Sequence, residues 1–219
     1  MIRISIMAVL AIVLTVTAAT AQVTISGGLG WSGGYGIGDA SADLRTNAAG
    51  VSPPPFTLFE VDSRMAASPG FEVRGGFPIT RDLTVEGGAH FARRRLSFRI
   101  SRDVEAPSQT FEGESLQHFV FDAAVLWRVP RIPYTRLRGF AMGGVGYLRQ
   151  LHQDRTRVES GQVYYLGGSA RYWLRGLPES HRSMGVRGDV RVNLKRNGID
   201  FANERRVYPT LLISLFLVL

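Results

Sequence analysis

From Gln22 onward apolar and polar residues alternate with a period of two, and no window carries the spacing of an amphipathic helix. Val23, Ile25, Leu29, Trp31 and Tyr35 share one face with Gly27 and Gly33, while Thr24, Ser26, Gly28 and Ser32 take the other. The alternation recurs over 71–77, 83–91, 119–127, 137–147, 164–174, 184–194 and 211–219, so eight strands are predicted. Short connections are expected near 78–82, 130–135 and 176–182, and long polar ones near 37–66, 101–114, 150–161 and 195–206. Short turns at one end and long loops at the other are the layout of a transmembrane β-barrel.

Eight tilted strands of about ten membrane residues each suffice to close such a barrel. Closure is required, because in lipid every backbone N–H and C=O must find a partner and an open edge leaves a row of them bare. Alternation alone does not say which face is inside. The Arg, Asp and Glu on one face of the strands decide for an apolar exterior and a charged lumen. The inverse, a soluble barrel around an apolar cavity, is the alternative.

Aromatic residues gather near the predicted strand ends. Trp31, Tyr35, Phe91, Tyr147 and Tyr164 are expected in an outer girdle, and Phe77, Trp127 and Tyr172 in a periplasmic one. Glycine pairs recur within strands, as at 75–76, 87–88, 143–144 and 167–168. They weaken an ordinary strand but relieve crowding in a sharply coiled one. No Lys-Ser/Thr or helix follows them, which argues against a phosphate loop.

The first residues change the picture of where the chain works. Met1-Ile2-Arg3 is a short positive start, Ile4–Val16 an apolar run, and Ala19-Thr20-Ala21 a small-x-small cleavage site. Residues 1–21 therefore read as a signal peptide and 22–219 as the barrel. The run falls short of the ~20 residues of a spanning helix. A bacterial outer-membrane location is expected. The net charge of +8 suits nucleic acid or an anionic membrane surface, and export leaves the membrane. The absence of Cys removes disulfides, thiol chemistry, Cys-ligated metals and lipoprotein processing.

Together the export signal, the alternating segments, the glycine-paired strands and the apolar last strand resemble the small outer-membrane β-barrel family. That family includes OmpA-like barrel domains, OmpX-like proteins and porin-like surface antigens. Residues 143–147 (GGVGY) and 167–172 (GGSARY) look like its fifth- and sixth-strand segments. The resemblance implies an all-β, up-and-down, eight-stranded antiparallel barrel. It also implies that the barrel-assembly machinery reads the C-terminal strand, where Leu219 stands in place of the usual Phe. With no segment after Leu219, a peptidoglycan-binding role is not expected.

Candidate chemistry lies on the inward face. Glu72, Arg74, Glu86, His90, His118 and Asp122 are expected there, together with Arg138, Arg171, Arg187, Asp189 and Arg191. An eight-stranded barrel is only wide enough for side chains to fill, so these charges must pair. A turn near Thr80 sets Arg74 opposite Glu86. A hairpin near Val104 sets His90 opposite His118 and Glu86 opposite Asp122. A salt-bridged plug is the plain reading, a gated ion path the sharper one, and a His–acid catalytic site the sharpest. His181-Arg182-Ser183 weakly resembles the His-x-Ser of outer-membrane lipid A deacylases, but it falls in a predicted periplasmic turn. The four His show no paired ligand spacing, so no metal, cofactor or catalytic residue is assigned.

A basic cluster, Arg93, Arg94, Arg95, Arg99 and Arg102, crowds the outer end of one strand. Arginine forks suit phosphate, so this cluster is the candidate contact for lipopolysaccharide. The expected role is non-enzymatic, structural or surface-exposed, with outer-membrane lipid as partner and a monomer as the expected state. The alternatives are a narrow porin-like channel and a lipid A-modifying or proteolytic barrel enzyme. The 51–56 segment in the first long loop is a candidate contact surface.

Overall fold

The computed structural model describes residues 22–44, 56–130, 135–153, 157–178, 182–201 and 204–219. The predicted signal peptide at 1–21, the 51–55 part of the first loop and His181 lie outside the described residues.

Among those residues ten strands follow one another in the chain. They are β1 (Thr24–Ser32), β2 (Tyr35–Leu44), β3 (Phe56–Met65), β4 (Ser68–Pro78), β5 (Leu83–Ser101), β6 (Gln109–Arg128), β7 (Leu137–Leu151), β8 (Val158–Arg175), β9 (Ser183–Asn197) and β10 (Arg206–Val218). All pair antiparallel, and the ring β1-β4-β5-β6-β7-β8-β9-β10 closes where β10 meets β1, from Thr24 opposite Val218 to Ser32 opposite Thr210. This is an eight-stave barrel whose first two staves are each broken once.

The breaks have local causes. Pro209 has no N–H for the ladder, so the β1–β10 pairing ends at Ser32 opposite Thr210, with Gly33 donating to the Pro209 carbonyl at 2.8 Å. Gly33 is required there, since a Cβ would stand 2.7 Å from the proline ring. Beyond the break β2 pairs with β3, and β3 pairs with the outer part of β5, Glu60 facing Ser101. The expected 37–66 loop is therefore largely a hairpin that continues the sheet outward. Its Asp, Ser and Ala residues lack the apolar alternation that marks a lipid-facing strand, because this part of the sheet is not lipid-facing.

The exterior carries an apolar belt. Leu29, Leu166 and Ile213 are 75%, 74% and 69% exposed, and Val125, Val190 and Leu215 project with them. A closed barrel with its apolar face turned outward all round has lipid as its solvent. Trp31, Tyr147 and Tyr164 rim this belt at the loop end, and Phe77, Trp127 and Tyr172 at the turn end. Tyr35 does not join them. It is buried in the lumen, because the break at Gly33-Gly34 resets the parity between β1 and β2.

The lumen is filled in three storeys. At the turn end Trp173 meets Phe216 edge-on at 5.1 Å, with Val218 beside them. At the loop end Tyr35, Ile37, Met65, Leu96, Leu116, Ile199 and Tyr208 form an apolar lid. Ile199 enters this lid because the β9–β10 loop folds over the mouth. Its N–H donates to Gln150 at 2.9 Å, its carbonyl accepts from Lys195 at 2.7 Å, and Phe201 N–H donates to the Ile37 carbonyl at 2.8 Å. One wall between the ends, formed by Val120, Ala124, Leu126, Met142, Leu148 and Val163, is also apolar.

Candidate functional site

The middle storey is ionic. Strand parity delivers its members: Glu72 and Arg74 from β4, Glu86 from β5, Asp122 from β6, Arg171 from β8, and Arg187, Asp189 and Arg191 from β9. Their ion pairs form one connected set of four arginines and four carboxylates. Arg74 binds Asp122 and lies 3.2 Å from both Glu72 and Glu86. Arg171 and Arg187 converge on Glu86, Arg187 at 2.8 Å. Arg191 holds Glu72 through two nitrogens at 2.6 and 2.7 Å. Asp189 bridges Arg187 at 2.8 Å and Arg191 at 2.7 Å. The Tyr165 hydroxyl donates to Asp122 at 2.6 Å and accepts from Arg74 at 3.0 Å.

Glycine makes room for this packing. Gly88 stands opposite Arg74, and a Cβ there would press on the guanidinium carbon at 3.0 Å. At Gly144 a Cβ would overlap the Tyr165 ring. Bare backbone on one stave thus accepts a long polar side chain from another.

The register differs from expectation by two residues. Arg74 faces Gly88, Glu86 faces Gly76, His90 faces Val120, His118 faces Ala92, and Asp122 faces Gly88. The β4–β5 turn and the β5–β6 loop are centred further along the chain than their polar residues suggest. Arg74 still reaches Glu86 and Asp122, diagonally, because an arginine is long enough to cross a register step. The two imidazoles are not brought opposite each other. His118 lies 3.4 Å from Gln150, and His90 faces Glu72 across β4. Arg138 lies at the turn end, its guanidinium 5.6 Å from the Trp173 ring centroid.

The basic row divides by parity. Arg93, Arg95 and Arg99 project outward and are exposed. Arg93 Nε–H donates to the Ser115 hydroxyl at 3.1 Å, and Arg95 pairs with Glu112. Arg102 pairs with Glu60 at 2.8 Å. Arg94 is a correction: it is fully buried and cannot touch a lipid headgroup. Its guanidinium donates to the carbonyls of Gly33 and Ala66 and stacks 4.8 Å from the Tyr35 ring and 5.2 Å from Tyr208. In a strand three consecutive arginines must place one inside. Parity counted from His90 marks Arg94 as that one.

Just below the exposed arginines, Phe71, Phe91 and Phe119 form a tilted row with centroids 5.3 and 4.8 Å apart. Sequence reasoning placed only Phe91 at this interface. A further rim contact it missed is His152 with Glu114, 2.9 Å apart between β6 and the end of β7.

No protein-family model and no curated protein matches the chain. Solved structures resemble it in fold. They include the outer membrane protein OprG from Pseudomonas aeruginosa, at 10% identity and a TM-score of 0.46 over 91% of this chain and 96% of that one. Ail, the attachment invasion locus protein of Yersinia pestis, matches at 11% identity and 0.43 over 91% and 99%. The outer membrane protease OmpT from Escherichia coli matches at 8% identity and 0.36 over 93% and 99%. At these identities the likeness is one of fold, and what this chain does is read from its own residues.

Proposed function

We propose that this chain is a non-enzymatic integral protein of the bacterial outer membrane, a sealed barrel anchored by lipopolysaccharide. The observation that carries the reading is the three-storey lumen, apolar at both ends and salt-bridged between them. A conducting pore needs a continuous wet path, and here the four arginines and four carboxylates neutralise one another under an apolar lid. The narrow-channel alternative is disfavoured on that ground. The buried acids of the ionic storey are each bound to arginine, which leaves none disposed as a general base.

Arg93, Arg95 and Arg99 stand directly above the Phe71–Phe91–Phe119 row, at the height where aromatic rings meet headgroups. Guanidinium forks at that height suit the phosphates of lipopolysaccharide. In this reading β10 is the strand offered to the barrel-assembly machinery, and Leu219 N–H donating to the Val23 carbonyl at 2.8 Å fastens its end to the seam. The barrel with Arg93→Ser, Arg95→Ser and Arg99→Ser together should co-purify with clearly less lipopolysaccharide than the native chain. Equal amounts from both would sink the lipopolysaccharide contact.

A further inference from the structure

An open apolar groove of about 740 Å³ crosses the lipid-facing surface of β6–β9. Its floor is low because Ala123 and Gly143 carry little or no side chain, and Leu166 stands over Gly143 from the next stave. Ala123, Val145, Tyr164, Leu194 and Val207 follow one another along a single rung of the ladder, from β6 to β10, and all border the groove.

Toward the loop end the same staves change chemistry. Tyr147 and Gln162 face each other on the next rung. The Tyr164 hydroxyl donates to Gln162 at 2.9 Å, and the Tyr147 hydroxyl lies 2.8 Å from that of Ser160. Above them stand Arg149 on β7, Arg196 on β9 and Arg205 at the foot of β10, all exposed. Arg196 and Arg205 come two residues beyond Leu194 and Val207, and Arg149 four beyond Val145, so parity turns all three to the groove's side of the wall. Among the described residues none of the three pairs with a carboxylate. Of the described acids at this end of β7–β10, Asp200 and Glu204 bind Arg206, and Glu159 has the inward parity of Val163.

Apolar groove, hydroxyl and amide girdle, uncompensated guanidinium: this is the profile of one amphiphile standing in the leaflet at the loop end. Adjacent strands lie roughly 4.8 Å apart, so Arg149 and Arg205 are separated by three such spacings. The single phosphate of a phospholipid does not reach both, and a headgroup with a phosphate at each end does. We propose that this groove seats one lipopolysaccharide molecule by its lipid A. An acyl chain lies over Ala123 and Gly143, one phosphate takes Arg149, and the other takes Arg196 and Arg205. A second copy of the chain in the groove would set these arginines against their own likeness. The inference extends the lipopolysaccharide reading to a different face of the barrel, and it stands or falls separately from Arg93, Arg95 and Arg99.

Native mass spectrometry of the full barrel in detergent, titrated with lipid A, reads the site. With Arg93→Ser, Arg95→Ser and Arg99→Ser in place, which silences the contact proposed above, one lipid A should remain bound per chain. Adding Arg149→Ser, Arg196→Ser and Arg205→Ser to that barrel should weaken the binding by about tenfold or more. Adding Ala123→Leu instead, which fills the floor, should weaken it likewise, and Val73→Leu on the lipid face of β4 should not. All these side chains face outward, and the change of gel migration on boiling checks that each variant is folded. No bound lipid A, binding indifferent to Arg149, Arg196 and Arg205 or to Ala123→Leu, or phosphatidylglycerol held as tightly overturns the proposal. Undiminished lipopolysaccharide after the Arg93, Arg95 and Arg99 changes, lost when Arg149, Arg196 and Arg205 are also changed, sinks the earlier contact and upholds this one.

Discussion

Arg74 is the residue on which the ionic storey turns, since it touches three carboxylates from three different strands. Replacing it with Met removes one cation from a balanced set and leaves Asp122 without its main partner. Breaking a buried pair in this way costs about 3–5 kcal/mol. Urea unfolding in lipid vesicles should show a loss of that order for Arg74→Met. Most of it should return in Arg74→Met with Asp122→Leu, because an apolar pair leaves no bare charge. Gly144 acts by what it lacks. A Cβ there overlaps Tyr165 and lies 2.8 Å from the Ala123 carbonyl, so Gly144→Ala should cost about 1–3 kcal/mol through overpacking. The same unfolding assay reads it.

Strands were visible in the sequence wherever one face meets lipid. Period-two runs such as 211–219 and 164–174 mark their outward faces plainly, and the structure places those faces outward. Where no lipid is present the signal fails. β2 and β3 rise beyond the membrane belt, so their Asp, Ser and Glu residues read as loop. The inner wall of β6 and β7 is apolar as well as the outer one, so a rule that puts every apolar residue outside misses Val120, Leu126, Met142 and Leu148. Pairing partners lie two residues from expectation in both the β4–β5 and β5–β6 ladders, because composition marks where a connection lies but not the residue on which it centres. The charged residues of the lumen were recognisable as a set from their parity. Their individual partners were not, because arginines bond diagonally across the register.

The lipid-facing reading of β8 makes a depth-dependent prediction. Leu166 sits near the middle of the strand and Leu174 at its turn end. Arginine on the lipid face of a barrel costs about 2–4 kcal/mol at the midplane and about 0–1 near an interface. Unfolding titrations in vesicles should therefore rank Leu166→Arg well below Leu174→Arg in stability. Equal losses at the two positions would contradict the placement of the belt.

At the scale of the whole molecule, the filled lumen predicts silence. The purified protein in planar bilayers should give no resolved conductance steps, and opening the lid with Ile199→Gly should not create a channel while the ionic storey stands intact. A stepwise current from the native chain would contradict the sealed reading. The closed ring of strands also predicts a gel signature. Unboiled protein in dodecyl sulfate should migrate differently from boiled protein, because a barrel whose ladder closes on itself resists detergent until heated.

The ionic partners come from distant parts of the chain. Arg171, Arg187 and Arg191 find Glu86 and Glu72 at separations of 85, 101 and 119 residues. No hairpin or half-sheet contains both halves of these pairs, so a partly assembled barrel leaves Arg171, Arg187 and Arg191 to share the one carboxylate of Asp189, with positive charge in excess. A bilayer admits such charges only at a cost of about 2.5–3.5 kcal/mol each. The clasp between β4–β5 and β8–β9 therefore couples entry into the membrane to the joining of the first and last strands. Refolding into vesicles should pass directly from adsorbed chain to finished barrel, with no half-inserted species along the way.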